Sequence, residues 1–269
     1  MTFLLVWVLG DLTLATYSRP IRPSIRQFTE RAAAANKARR ECEASVRVLS
    51  PSGGGRYHSR MAKGDPLPSL KFEKEAWAAG ALWVAGVDEV GCGPLAGPVA
   101  AGVVALPAGK RFRWYSRVRD SKVLSERARD ELAPLIRASV PFAIGWASHE
   151  EIDRIGILPA RRLCMLRAFE QLSIKPDAII SDALDLPLPN LRAVINGDAL
   201  SVSVGAASIV AKVARDALMT EMCARYPGYK FCQNKGYPTP QHKQLLRQRG
   251  PCPIHRHSYA PVAQSAFRW

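Results

Sequence analysis

Long apolar runs are missing from this 269-residue chain: no stretch approaches 18 uninterrupted apolar residues, so no membrane-spanning helix is expected. Cysteine is sparse, with six at positions 42, 92, 164, 223, 232 and 252, and never occurs as C-x-x-C. That excludes a zinc ribbon and a disulfide-stapled miniprotein, and it reads as a set of reduced, mostly buried thiols in a cytoplasmic protein. Negative charge is also in short supply. The 23 Asp and Glu face 38 Lys and Arg, leaving a formal net charge of +15. Such a field draws in polyanions, and nucleic acid becomes the leading partner class. What is abundant is ordinary: 48% hydrophobic and 23% charged residues suit a globular core and exclude wholesale disorder.

The first sixty residues stand apart. Phe3 to Leu9 is apolar, but no basic residues precede it and Asp11 follows, so a signal peptide is not expected. Ser24 to Leu49 is rich in Ala and Arg and reads as a basic helix, followed by a flexible break at Gly53-Gly54-Gly55. Residues 1–60 carry no chemical motif and read as a disordered or dispensable extension or a misassigned reading frame, with 61–269 as the organised domain. Ten basic and four acidic residues precede Met61, so residues 61–269 keep a charge of +9.

From Val84 onward, strand and helix patterns alternate. Val84–Val90 and Pro98–Leu106 are apolar runs bounded by Gly and Pro, and they predict a pair of buried strands. Ala128, Leu132, Leu135 and Ile136 recur at helical spacing, with Ser121 as candidate cap. Phe142–Ala147 predicts a strand. Two helical patterns follow, the second with Leu163, Leu166, Phe169 and Leu172 on one stripe. Ala178–Ile180 and Ala193–Ile195 read as short strands, and residues 202–225 as a long helix. This order predicts a mixed α/β layer fold.

A basic protein that hydrolyses phosphodiesters needs carboxylates to hold hard cations, which neutralise charge developing on phosphorus. Asp88-Glu89 ends the first strand, Asp182 follows Ile179-Ile180, and Asp198 follows Ala193–Ile195. Singly, an acid beside a strand end is an ordinary turn residue. Together they point to one edge of a sheet. Adjacent strand residues face opposite sides, so Asp88 and Glu89 cannot both enter a site by simple alternation, and Glu89 ranks second.

The segment Val84-Ala-Gly-Val-Asp-Glu-Val-Gly-Cys-Gly-Pro-Leu-Ala-Gly-Pro-Val99 resembles the opening motif of the type 2 ribonucleases H, the ribonuclease HII family. The likeness continues through Asp120-Ser-Lys122, Glu151-Ile-Asp153, Ser181-Asp-Ala183, Gly197-Asp-Ala199, Ala207–Asp216, Lys235–Thr239 and His255–Ser258, covering about residues 68–263. The resemblance implies a ribonuclease H-like mixed sheet flanked by helices, with a small helical C-terminal region. It implies cleavage of the RNA strand of RNA/DNA hybrids, and of single ribonucleotides in duplex DNA, leaving 3′-hydroxyl and 5′-phosphate ends. It places two Mg²⁺ or Mn²⁺ ions on Asp88, Glu89, Asp182 and Asp198, a junction sensor on Gly91, Cys92 and Gly93, and a sugar-stacking ring on Tyr237. Lys122 and Ser208 are candidate phosphate contacts.

Three positions depart from the family pattern. Cys92 stands where the family has arginine, Asn196 where it usually has lysine, and Asn234 where it usually has histidine. The acids are intact, so chemistry is expected to persist with weakened substrate binding. The alternatives are a hybrid-binding protein with weakened or lost cleavage, and another hydrolase or nucleotidyl transferase on the same fold. Lys212, Arg215 and Asp216 read as an ion-paired helix face, Asp120 as a cap of the helix that follows or a supporting bond to a site residue, and His255 and His257 as packing or phosphate-proximal residues rather than metal ligands. A monomer is expected.

Overall fold

The computed structural model describes residues 67–266; the readings at Phe3–Leu9, Ser24–Leu49 and Gly53–Gly55 lie outside the described residues. Helix α1 (Lys71–Ala78) precedes strands β1 (Trp83–Val90) and β2 (Val99–Pro107). Then come α2 (Glu126–Ser139), β3 (Phe142–Ala147), α3 (His149–Ile155), α4 (Ile157–Gln171), β4 (Ala178–Asp182) and β5 (Leu191–Val194). A short α5 (Gly197–Leu200) leads into α6 (Val202–Arg225), and α7 (Phe231–Asn234), α8 (Pro240–Arg249) and α9 (Ala260–Ala266) complete the described chain. The five strands form one sheet in the order β3-β2-β1-β4-β5. β3, β2 and β1 are antiparallel neighbours, and β1, β4 and β5 run parallel.

Helices cover both faces, which is why β1 and β2 read as near-continuous apolar runs. Ala85 and Val87 of β1, with Ala101, Val103 and Ala105 of β2, pack with Ala160, Cys164 and Ala168 of α4. The opposite face carries Val104 and Leu106 against Ala206, Val210, Leu132 and Ile136 of α6 and α2. At the centre of that face the sheet has glycine: a Cβ on Gly86 would overlap the backbone of Ser203, and one on Gly102 would overlap the Ala207 carbonyl. Only Gly lets α6 come this close to β1. The start of α6 is tied down by Glu73 of α1, fully buried, whose Oε1 accepts from the Ser201 hydroxyl at 2.6 Å and the Ser203 N–H at 2.8 Å. An acid suits the positive end of a long helix.

Several expectations need correction. The cap of α2 is Ser125, which accepts the Ala128 N–H at 3.2 Å; Ser121 is instead buried against Ser208. Asp120 does not cap that helix either: its Oδ1 accepts the Lys122 N–H within a turn. Leu135 is exposed, because α2 buries Leu132, Ala133 and Ile136 and the apolar stripe turns away from it. β5 ends at Val194 and Ile195 is 78% exposed, since the chain turns out of the sheet at Asn196. The inner face of α4 is made by Ala160, Cys164 and Ala168, while Leu163 and Phe169 flank it, because the helix lies directly on Gly145. Finally, Cys223 and Cys232 are disulfide-bonded, with Cα atoms 5.2 Å apart, whereas Cys92, Cys164 and Cys252 are free. Of the anticipated ion-paired face on α6, Lys212 and Asp216 do pair at 2.6 Å, but Arg215 is fully buried and donates to the carbonyls of Pro98, Lys235 and Ala96.

Candidate active site

The register brings the acids together. β1 and β4 pair up to Val87 opposite Ser181, so Asp88 and Asp182 are the next residues on adjacent parallel strands. Asp182 in turn pairs with Val194. The chain leaves β5 through Asn196, whose φ of +57° is the left-handed conformation Asn tolerates, and enters α5 with Asp198. Alternation then sorts directions. Asp88 shares its face with Gly86, toward α6, and Asp182 shares that face with Ile180, which packs on Val204 of α6. Glu89 shares the α4 face with Ala85 and Val87, and it meets Arg161 of α4 at 2.6 Å.

These ends open into a cavity of about 260 Å³ lined by Asp88, Glu89, Gly91, Cys92, Gly93, Lys122, Asp182, Ser208 and Tyr237, with Val90, Ser121 and Lys212. Asp198 alone among the expected site residues does not line it. It joins through Lys122, whose Nζ lies 3.0 Å from Asp198 Oδ2.

Each acid commits one oxygen to the protein. Asp88 Oδ1 accepts the Glu89 N–H at 2.8 Å, and Asp182 Oδ1 the Gly197 N–H at 2.7 Å. Asp198 Oδ2 faces Lys122, and Glu89 Oε1 faces Arg161. Burial and repulsion from Glu89 and Asp182 push the Asp88 carboxyl well above the usual carboxylate range. Burial, then Asp198, push the Asp182 carboxyl up to about 6. Burial pulls the Lys122 ammonium down, but Asp198 and Asp120 more than reverse this and keep it charged.

This donor set fits a hard divalent cation. It is all oxygen, burial and neighbouring acids raise both Asp88 and Asp182, and Glu89 Oε2 is buried without a hydrogen-bond partner. Among the described residues no three His, Cys, Asp or Glu side chains stand in a finished metal cage; Lys122 and Arg161 supply the positive charge instead.

The glycine turn is held from behind. Gly91 has φ +95°, and a Cβ there would strike the Arg215 side chain. Arg256 donates to the carbonyls of Gly91 at 2.7 Å and Cys92 at 2.9 Å, and the Tyr259 hydroxyl donates to Cys92 O at 2.6 Å. The Cys92 thiol turns inward, 3.5 Å from Glu89 Oε1, and burial with the nearby Glu89 charge pushes it up to about 12, so it stays a neutral donor. Asn234 is likewise internal: its amide donates to Tyr229 O and accepts the Gly236 N–H, and it shapes the loop that carries Tyr237. The Tyr237 ring lies 5.5 Å from Lys212 Nζ and 5.7 Å from Arg215 Cζ, both measured to its centroid.

The family model described as ribonuclease HII matches residues 85–262, which include every residue of this site.

The chain belongs to the ribonuclease HII family.

Ribonuclease HII of Anaeromyxobacter sp. (strain Fw109-5) is 44% identical over 259 residues, which take in 91% of this chain and 81% of that one. Ribonuclease HII of Myxococcus xanthus (strain DK1622) is 46% identical over 226 residues, 82% of this chain and 76% of that protein. The solved ribonuclease H2 of Pyrococcus horikoshii OT3 superimposes with a TM-score of 0.58 at 28% identity, covering 68% of this chain and 96% of that one. Membership of the ribonuclease HII family makes the chain an endonucleolytic hydrolase of the ribonuclease H class.

Sequence reasoning missed Arg161, Lys212 and Ser121 around this ribonuclease HII cavity, and Arg256 and Tyr259 behind it. Lys212 was within reach, one helical turn after Ser208 on the same face of α6. Arg161 had no local signal, because its partner lies on a strand 72 residues away in sequence, at Glu89.

Proposed function

We propose that this enzyme cleaves the RNA strand of RNA/DNA hybrids, and single ribonucleotides embedded in duplex DNA, using Asp88, Glu89, Asp182 and Asp198 to hold two Mg²⁺ or Mn²⁺ ions. The observation that carries this reading is the pair of carboxyls, each raised by burial and by neighbouring acids, on adjacent parallel strand ends in one cavity with a glycine turn. Divalent ions held there would supply the charge that favours attack of water on phosphorus and departure of the 3′-oxygen, giving 3′-hydroxyl and 5′-phosphate ends.

The chain's own residues do the rest. Asp88 and Asp182 present acceptor oxygens from rigid strand ends. The backbone of Gly91–Gly93 approaches a ribose closely because no side chain intervenes at Gly93, where a Cβ would enter open space, and a 2′-hydroxyl is the group that separates RNA from DNA there. Tyr237 offers a flat face to a sugar. Lys122, Lys212 and Ser208 line the same cavity and offer phosphate contacts.

Incubation with a duplex carrying one ribonucleotide tests the reading. Cleavage at that ribonucleotide, dependent on Mg²⁺ or Mn²⁺ and abolished by EDTA, is expected. Cleavage that persists in EDTA, or products ending in 3′-phosphate, would overturn it. The catalytic unit is proposed to be residues 61–269, acting as a monomer in the cytoplasm. Among the described residues no helix is long and apolar enough to cross a membrane.

A further inference from the structure

We propose that Arg161 is a positioning residue for Glu89: from α4 it occupies one carboxylate oxygen and thereby presents the other to the ion site. The proposal rests on the reading of Glu89 as a metal-holding acid. Three observations carry it.

First, both side-chain donors meet the same oxygen. Arg161 Nη2 lies 2.6 Å from Glu89 Oε1, and the Cys92 thiol lies 3.5 Å from that atom. Second, Glu89 Oε2 is buried and has no hydrogen-bond partner, although Glu89 lines the cavity. Third, Arg161 Nε is also buried and unpartnered. A guanidinium and a carboxylate normally close such a gap as a two-pronged pair, which would satisfy both orphaned atoms at once. Here the pair stays one-pronged. A buried acceptor without a partner is costly, and its retention points to a use for that oxygen.

Alternation along β1 explains why Glu89, unlike Asp88, needs such a support. Asp88 points toward α6 and lies at the strand's own edge of the site. Glu89 points toward α4 and must be turned toward the ions from the opposite face of the sheet. Arg161 follows Ala160, which packs against the sheet, so the guanidinium is delivered by a fixed helix rather than by a loop. Cys92 adds a neutral donor from the glycine turn, so acid and turn are set by one small network.

The test compares wild type, Arg161→Ala, Arg161→Lys, Glu89→Gln and the double variant Arg161→Ala/Glu89→Gln in the full chain. Mn²⁺ affinity is measured calorimetrically without substrate, alongside kcat and the salt dependence of hybrid binding in EDTA. Arg161→Ala is expected to weaken Mn²⁺ binding and lower kcat by about 10-fold or more, as loss of a ligand-orienting partner does. Arg161→Lys is expected to recover part of both, and Arg161→Ala to add nothing in the Glu89→Gln background. The salt slope of hybrid binding should not change. Tighter Mn²⁺ binding in Arg161→Ala would show a competitor of the ion rather than a support. A salt slope lowered by about one would show a phosphate contact. Additive losses in the double variant, or unchanged Mn²⁺ affinity while circular dichroism shows a folded protein, would also overturn the proposal. If the wild type itself binds no Mn²⁺, the metal-site reading falls, and the proposal with it.

Discussion

Asp88 and Asp182 are held at the end of a sheet in a condition that a folded protein ordinarily avoids, each raised by burial and by neighbouring acids. Such an arrangement is retained where the repulsion serves chemistry. Replacement of Asp88, Asp182 or Asp198 by Asn is expected to lower kcat by at least about 100-fold while hybrid binding in EDTA changes little, because the lost groups act on charge at phosphorus. Gel-shift and single-turnover assays on the same preparations check this; near-normal turnover in any of the three removes that residue from the site. Cys92 leads to a different expectation. Its thiol lies inward against Glu89 and the α4 layer, so the charge that an arginine would bring has no direct route to a phosphate. Cys92→Arg is therefore expected to lose about 1–3 kcal/mol of stability through overpacking, with an unchanged salt slope for hybrid binding. Denaturant melts and binding at two salt concentrations decide the point. A steeper slope would put position 92 at the phosphate after all.

At the level of elements, the approach of α6 to β1 determines where Ser208 and Lys212 stand relative to Asp88. Gly86→Ala forces a methyl group into the backbone of Ser203, and about 1–3 kcal/mol or more of stability should be lost, with activity falling as well. A melting midpoint equal to wild type would show that the helix can retreat freely. The loop carrying Tyr237 depends on a second device. The Cys252 N–H donates to His255 Nδ1 at 2.9 Å, His255 Nε2 lies 3.2 Å from His242 Nε2, and His242 Nδ1 lies 2.8 Å from the Tyr237 carbonyl. With Nδ1 of His255 accepting, its Nε2–H donates to His242, and the Nδ1–H of His242 donates to Tyr237. Both rings must be neutral for this chain to exist. Burial and the neighbouring His242 lower His255 to about 4, below its usual 6.5, so the folded state resists protonation. The sign follows: the unfolded chain binds the proton first, and stability contributed by neutral His255 is full above pH 6.5 and lost as pH falls toward 4. The loss is about 2–3 kcal/mol at the lower end. His255→Gln should flatten this part of the stability-against-pH curve measured in urea. An equally steep curve in the variant would assign the effect to other groups.

Across the whole molecule, the residues that follow the catalytic layer are a brace for the active-site turn. Asp153 of α3 accepts the backbone N–H groups of His257 at 2.8 Å and Ser258 at 2.9 Å, and beside them Arg256 grips the carbonyls of Gly91 and Cys92. The positive charge is distributed in the same spirit, with +9 remaining in residues 61–269. A chain beginning at Met61 is expected to cleave a single-ribonucleotide duplex with kcat/KM within about threefold of the full chain, the difference being no more than the modest electrostatic contribution of an added basic segment. The alignment with the Anaeromyxobacter relative covers 91% of the chain and so reaches upstream of Met61, which makes the comparison worth performing. A collapse in thermal stability of the shorter chain would place the upstream residues within the folded unit.

What could be read in the sequence was whatever depends on near neighbours in the chain. The run at Val84–Val90 declares a strand because its apolar, β-branched residues are buried on both faces, Phe142–Ala147 does so as a short apolar run whose burial alternates, and residues 202–225 declare a helix by their Ala-rich periodicity. The acids Asp88, Glu89, Asp182 and Asp198 stood out because each follows or ends such a strand, and alternation already separated Asp88 from Glu89. Tertiary structure decided the rest. The parallel register of β1 on β4 sets Asp88 beside Asp182, and the Cys92 thiol and the Asn234 amide find partners within the protein, on Glu89 and on the Tyr229 carbonyl. Arg161 on Glu89, Glu73 under α6 and Arg256 behind the glycine turn are long-range pairings, for which no spacing in the chain carries a signal. Their positions follow from helix packing on a glycine-centred sheet, and a linear pattern contains the glycines but not the distance they permit.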